Sequence, residues 1–246
     1  MELALGTVYF AFQIYCDFSG YSDIAIGSAR LFGFRLTRNF AYPYFSRDIA
    51  EFWRRWHITL STWFRDYVYL PLGGNRTTRG RWLRNILVVF LLSGLWHGAN
   101  WTYLVWGFLH GVYYVPLVLT RGHRRHMDTV AAGRWVPTVT EALQMARTFG
   151  LVLVAWVFFR ASSFPEAVRF LLHMVTHDWL VYPSYKRGLV YVGVLVLIEW
   201  VQRSKAHGLE IAQWPLGVRW AVYYLLIAGM FWLGYMEYAP FIYFQF

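Results

Sequence analysis

Apolar residues fall in long runs, near residues 3–16, 85–97, 101–119, 146–160, 188–202 and 217–237. Each run predicts a helix, because a bilayer-spanning helix needs about 20 mostly apolar residues. Several runs are shorter, which tilt or burial in a bundle accommodates. Residues 46–69 follow another pattern: Ile49, Phe52, Trp53, Trp56, Leu60, Trp63, Phe64 and Tyr67 recur at helical spacing. Ser46 is the expected N-cap, with Asp48 in the first turn. Arg47, Glu51, Arg54, Arg55, Arg65 and Asp66 fall mostly on the opposite face, so the segment predicts one amphipathic helix, interfacial or re-entrant. It ends at the turn-forming string Pro71-Leu72-Gly73-Gly74-Asn75. The expected fold class is all-α: a polytopic transmembrane helical bundle carrying this amphipathic helix. The whole of residues 1–246 reads as a single unit, with a motif-bearing core over about 9–175 and C-terminal helices over 176–246.

Composition fixes the solvent. The chain is 58% apolar, 21% aromatic and 15% charged, against roughly 45–50% apolar and about 25% charged in soluble proteins. A globule of 246 residues has no room to hide 14 Trp, 18 Tyr and 20 Phe from water. Disordered, fibrous and ordinary soluble chains are excluded, leaving a membrane protein whose first partners are lipids. The net charge of +10 comes from arginines placed mainly between apolar runs. That is the pattern of basic membrane loops and headgroup anchors rather than of a nucleic-acid-binding surface. Arg76, Arg79, Arg81 and Arg84 form one basic cluster; Arg121, Arg124, Arg125 and Arg134 form another. With both clusters cytoplasmic, residues 85–119 form a hairpin whose turn, around Gly98-Ala99-Asn100, faces outward. The segment 160–187, with Arg160, Arg169, Lys186 and Arg187, then also falls outside. Cys16 is the one cysteine, so no internal disulfide is possible, and no signal peptide stands at the start.

Ionisable residues are costly in a bilayer and usually face a protein interior or water-filled cavity. On a continuous helix His57 projects with Trp53, Leu60 and Phe64, and reads either as a core histidine bonded to a carbonyl or as part of a site. His97 closes an apolar run in Ser93-Gly94-Leu95-Trp96-His97-Gly98, and His110 sits within the next in Trp106-Gly107-Phe108-Leu109-His110-Gly111. An imidazole kept neutral by burial can take a proton from a hydroxyl nucleophile. The alternatives are helix-end capping for His97 and an interhelical hydrogen bond for His110. Glycines beside both remove bulk, so that another helix or a substrate can approach. Asp17 and Asp23, in Asp17-Phe18-Ser19-Gly20-Tyr21-Ser22-Asp23, read as helix ties, as partners of Arg30 or Arg35, or as parts of a proton path. Histidines 57 and 97 with either aspartate follow no familiar metal spacing, and no metal is expected.

Together these strings resemble the membrane-bound O-acyltransferase family, in its bacterial branch of alginate O-acetyltransferases, peptidoglycan O-acetyltransferases and the D-alanyl transfer protein of teichoic acid synthesis. The residues that carry the likeness are Asp17 to Gly27; Phe52-Trp53-Arg54-Arg55-Trp56-His57-Ile58-Thr59-Leu60-Ser61; Phe64-Arg65-Asp66-Tyr67; Pro71 to Arg76; Gly94-Leu95-Trp96-His97-Gly98-Ala99; Trp106-Gly107 with His110-Gly111; and Trp156 to Ala161. Order and spacing agree over residues 9–175. The Pro71 to Asn75 string resembles the alginate type more than the D-alanyl type.

The resemblance implies an inner-membrane, multi-pass enzyme that moves an acyl group, usually acetyl, from a cytoplasmic thioester such as acetyl-CoA toward a hydroxyl of an extracytoplasmic polysaccharide. Transfer would be direct or through a periplasmic acyltransferase partner, and no bound cofactor is implied. The family's catalytic histidine matches His97 and its second recurring histidine matches His57, both facing a tunnel. Asn100, three positions after His97, is a candidate oxyanion donor. His110, Asp17 and Asp23 are candidate supports, and Arg76, with Arg79, a candidate contact for the donor's phosphates. Family members carry further membrane helices ahead of the Asp-Phe-Ser-Gly-Tyr string, so the chain corresponds to the C-terminal half of the family fold. The alternative is a truncated, non-catalytic scaffold or export subunit of a polymer-modification system. A transporter fits less well, since no Gly- or Pro-broken helices pair in repeated halves.

Overall fold

The computed structural model describes residues 1–176 and 186–234. Among these residues all regular structure is helical: α1 Glu2–Leu31, α2 Ile49–Arg55, α3 Ile58–Phe64, α4 Arg79–His97, α5 Trp101–Leu119, α6 Val139–Arg160, α7 Phe164–Thr176, α8 Arg187–Gln202 and α9 Leu216–Leu233. The six apolar runs fall on α1, α4, α5, α6, α8 and α9; residues 235–237 of the last run, like 177–185 and 238–246 of the expected segment 176–246, lie outside the described residues. Three helices, α5, α6 and α9, are long and apolar enough to cross a membrane. By contrast, α4 opens on Arg79, Arg81 and Arg84, and α8 has 16 residues. Helix α1 is longer than its apolar run predicts, because the string from Asp17 to Gly27 continues it.

Helices α4 and α5 make an antiparallel hairpin joined at glycines. A Cβ on Gly94 would lie 2.3 Å from the Tyr103 carbonyl oxygen, and one on Gly107 would lie 2.2 Å from that of Phe90. The two backbones touch, as only side-chain-free positions allow. On the other side of the turn, Asn100 caps α5 by accepting from the Thr102 N–H at 3.2 Å. The hairpin sets the N-terminus of α4 beside the C-terminus of α5, so the two arginine clusters share one end of the molecule. The Gly98 turn lies at the other end, where the Asn100 amide donates to the Ser162 carbonyl beyond α6 at 3.2 Å. Helix α6 starts at a capping box in which Thr138 and Glu141 satisfy each other's backbone N–H groups. The core is built of aromatic rings from four helices, among them Phe10 and Tyr15 of α1, Phe52 of α2, Trp106 of α5 and Trp156 of α6.

The single amphipathic helix expected over 46–69 does not form. Asp48, not Ser46, is its N-cap and accepts from the Glu51 N–H at 2.7 Å, while the Ser46 hydroxyl donates back to the Pro43 carbonyl. Helix α2 stops at Arg55, His57 takes a left-handed conformation with φ 42°, α3 restarts at Ile58, and a π-turn over Arg65–Tyr69 closes the segment. The expected faces also change. Arg47 and Glu51 are buried at 3% and 1% exposure and pair at 3.1 Å, whereas Trp63 and Tyr67 are exposed. A periodic pattern reports which residues are apolar, but here the buried charges satisfy one another and the chain bends between them.

Candidate active site

The break between α2 and α3 is what presents His57. A left-handed conformation costs a non-glycine residue roughly 1–2 kcal/mol, so neighbouring bonds must hold it. Asn39 supplies them. Its carbonyl accepts from the Ile58 N–H at 2.9 Å, and its side-chain oxygen accepts from the Thr59 hydroxyl at 2.6 Å and the Thr59 N–H at 3.3 Å. His57 is thereby removed from the continuous helix on which it would project with Trp53, Leu60 and Phe64. Its ring packs edge-on to Phe18 of α1 with centroids 4.8 Å apart, and lies 6.2 Å from Trp96 of α4.

His97 is the last residue of α4, half-buried, and sits among the rings of Trp96, Phe159 and Trp106 at 4.9, 5.0 and 5.1 Å. His57 and His97 therefore share Trp96 as a neighbour. Two neutral-capable nitrogen bases inside an aromatic wall can take up and return a proton while limiting competing water.

His110 lies one ring behind this pair. It is 0% exposed, and Trp106 touches both it and His97. Its Nδ1 accepts from the Trp53 indole N–H at 3.2 Å. Asn100 has its side chain committed at both ends, to Thr102 and Ser162. Asp17 and Asp23 both ride on α1, the first half-buried and the second exposed. Arg76 is exposed in the loop before α4, about 30 Å of helix length from His97. The structure thus gathers His57 and His97, sets His110 behind them and Asn100 beyond the turn, and leaves Arg76 remote. Among the described residues, no three of His, Cys, Asp and Glu gather closely enough to hold a metal ion.

A cleft of about 490 Å³ runs along α4, lined on that helix by Trp82, Ile86, Phe90 and Ser93. That stretch is roughly 16 Å of helix, beginning near the arginine-rich end and stopping one turn before His97. Ile58, next to His57, forms part of the facing wall. Sequence reading missed the Asn39 clamp, Trp96 and this cleft. Asn39 bonds to a residue 20 positions away, so no local pattern shows it; Trp96 stands inside a quoted motif, adjacent to His97, and was accessible from that string.

The described residues thus make a helical membrane protein in which two histidines share an aromatic pocket. The chain belongs to the MBOAT, membrane-bound O-acyltransferase, family, whose model matches residues 1–164. It is 38% identical to a Probable alginate O-acetylase AlgI of Pseudomonas putida, over 98% of this chain and 53% of that protein. It is 44% identical to the Probable alginate O-acetylase AlgI of Azotobacter vinelandii, over 79% of this chain and 37% of the relative. A Peptidoglycan O-acetyltransferase of Helicobacter pylori is 43% identical over 68% of this chain and 30% of its own length. The chain thus spans about half, or less, of the length of these curated relatives.

Proposed function

We propose that this membrane protein takes part in O-acyl transfer, with His97 as general base and an acetyl group as the cargo. The observation that carries the reading is the shared packing of His57 and His97 on Trp96. The acceptor hydroxyl gives its proton to His97 as its oxygen attacks the thioester carbonyl carbon. The tetrahedral intermediate collapses, the C–S bond breaks, the thiolate leaves, and the proton on His97 passes to it. The carbonyl end of α4 places partial negative charge beside the ring in which positive charge develops. His57 aligns the acceptor or donates to the oxyanion. The cleft along α4 suits the thioester arm, since it leads toward both histidines.

The names of the relatives support a polysaccharide hydroxyl, of the alginate kind, as the final acceptor, reached directly or through a periplasmic partner. An inner-membrane, multi-pass placement with the arginine clusters cytoplasmic fits both the positive-inside rule and a cytoplasmic donor. The test is His97→Ala in the natively expressed protein, reading acetyl transfer to the polymer together with circular dichroism and thermal unfolding. A positioned general base contributes about 10²–10⁴-fold, so transfer falls by at least 100-fold while the helical spectrum is kept. Transfer at the parental rate would favour the non-catalytic scaffold instead.

A further inference from the structure

The arginines of the Trp53-Arg54-Arg55-Trp56-His57 string have no part in the proton transfer, yet they wall a second cavity. This pocket, of about 280 Å³, is lined by Arg38, Arg54, Arg55, Arg203 and Lys205, with Asp128 as its acidic member. It shares Arg54, Ile58 and Met127 with the cleft along α4. The two cavities therefore adjoin, one basic and one mainly apolar.

Three of the basic groups in this pocket, Arg38, Arg54 and Arg203, are fixed by backbone carbonyls rather than by carboxylates. Arg54 donates to the carbonyls of His123 at 3.0 Å and His126 at 2.6 Å. Arg38 donates to those of Lys205 and Ala206, and Arg203 to those of Val130, Ala131, Arg134 and Trp200. Among the described residues, none of these three forms an ion pair with a carboxylate. Arg55 is matched by Glu51, Asp128 is held by Arg47, and Lys205 reaches Glu210 at 3.9 Å. Carbonyls hold a guanidinium in place without cancelling its charge. Three such groups lining one concavity leave it an excess of positive charge, whereas a membrane anchor would spread its arginines toward lipid headgroups.

We propose that this pocket binds the phosphate or diphosphate group of an amphiphilic ligand whose less polar arm lies in the adjoining cleft. Arg54 stands at the junction and holds the anionic head, while the arm passes Ile58 toward His57. A phosphate-bearing thioester and an anionic phospholipid share this chemistry. The thioester assignment rests on the acyl-transfer reading; the anion site does not.

Binding, not turnover, tests it, so a dead enzyme and an empty pocket give different results. The purified protein in zwitterionic nanodiscs is titrated with coenzyme A, and in a second arm is moved to phosphatidylglycerol nanodiscs and followed by thermal unfolding. Hydrogen bonds to charged groups contribute roughly 1.5–3 kcal/mol, so Arg54→Gln and Arg203→Gln each weaken binding about 10- to 100-fold, with Arg169→Gln on α7 as the neutral control. Saturable coenzyme A binding lost in both variants supports the site and a soluble ligand. Stabilisation by phosphatidylglycerol alone, lost in both variants, supports the site with a lipid headgroup. The proposal is overturned if neither probe binds, if both glutamine variants bind like the parent, or if Arg76→Gln abolishes binding while they do not. Should Arg54→Gln fail to fold, Arg203→Gln and Arg38→Gln carry the same decision.

Discussion

The Trp53 indole N–H donates to Nδ1 of His110 at 3.2 Å. That bond sets the tautomer, because a neutral imidazole accepting at Nδ1 carries its proton on Nε2, and here Nε2 is buried without a hydrogen-bond partner. Sealed among Phe52, Trp53 and Trp106, His110 fits a packing role better than a chemical one. Trp53→Phe leaves Nδ1 unsatisfied and costs about 1–3 kcal/mol. Trp53→Phe with His110→Phe costs less than the two single changes together, and thermal unfolding of all four proteins measures the coupling. His110→Phe alone keeps acetyl transfer within about tenfold of the parent, in contrast to His97→Ala.

The left-handed backbone at His57 separates strain from chemistry. His57→Gly and His57→Ala both remove the imidazole, but glycine adopts positive φ freely, so the glycine variant unfolds at a free energy about 1 kcal/mol above the alanine variant. Denaturation midpoints decide this. Asn39→Ala releases the restart of α3 and lowers the transfer rate with intact histidines. Asn39→Asp retains the acceptor for Thr59 and recovers most of that rate.

The α4–α5 contact makes a sharp distinction among glycines. Gly94→Ala and Gly107→Ala each force a methyl group onto a backbone carbonyl and destabilise by about 1–3 kcal/mol. Gly150→Ala, within α6 and with nothing near its added Cβ, leaves stability unchanged or raises it by up to about 1 kcal/mol. Melting temperatures in one detergent rank the three variants.

Arg47 joins Glu51 and Asp128. Arg47→Leu leaves Glu51 with Arg55 as its remaining ion-pair partner, and removing one member of a buried pair costs about 3–5 kcal/mol. The Arg47 guanidinium hydrogen-bonded to Asp128 holds that carboxyl below the usual carboxylate range. A lowered folded-state value means that the contribution is complete above the unfolded value of about 3.9 and fades as pH falls through the lower, folded one. The Asp128 side chain is 63% exposed, so its contribution stays under about 1 kcal/mol. Asp128→Asn removes that small component of acid sensitivity below about pH 4, which unfolding curves at pH 3 and pH 7 compare.

The apolar runs were readable because lipid demands an uninterrupted pattern, and α5 coincides with its run at 101–119. His97 stood out because ionisable groups are rare within such runs, whereas His57, in a segment rich in charge, stood out through the Arg-Trp-His string that carries the family resemblance. Between 46 and 69 the same reasoning misplaced the cap and missed the break. Aromatic periodicity there continues across Trp56 and His57, while the deciding bonds come from Asn39 on another part of the chain. Burial of Arg47 and Glu51 was equally hidden, since it depends on Asp128 some 80 positions later. Arg76 was attractive through its neighbours in sequence, but the length of α4 carries it away from His97.

Helices α4 and α5 meet backbone against backbone at two glycines, like a joint cut to a fixed depth. Sliding either helix by a turn would drive side chains into the notches, so the level at which His97 sits is set rigidly relative to the histidine-bearing hairpin's own partner strand of chain. The opposite bank is fastened by different means, since the turn at residue 57 between α2 and α3 is held by the bonds of Asn39 to Ile58 and Thr59.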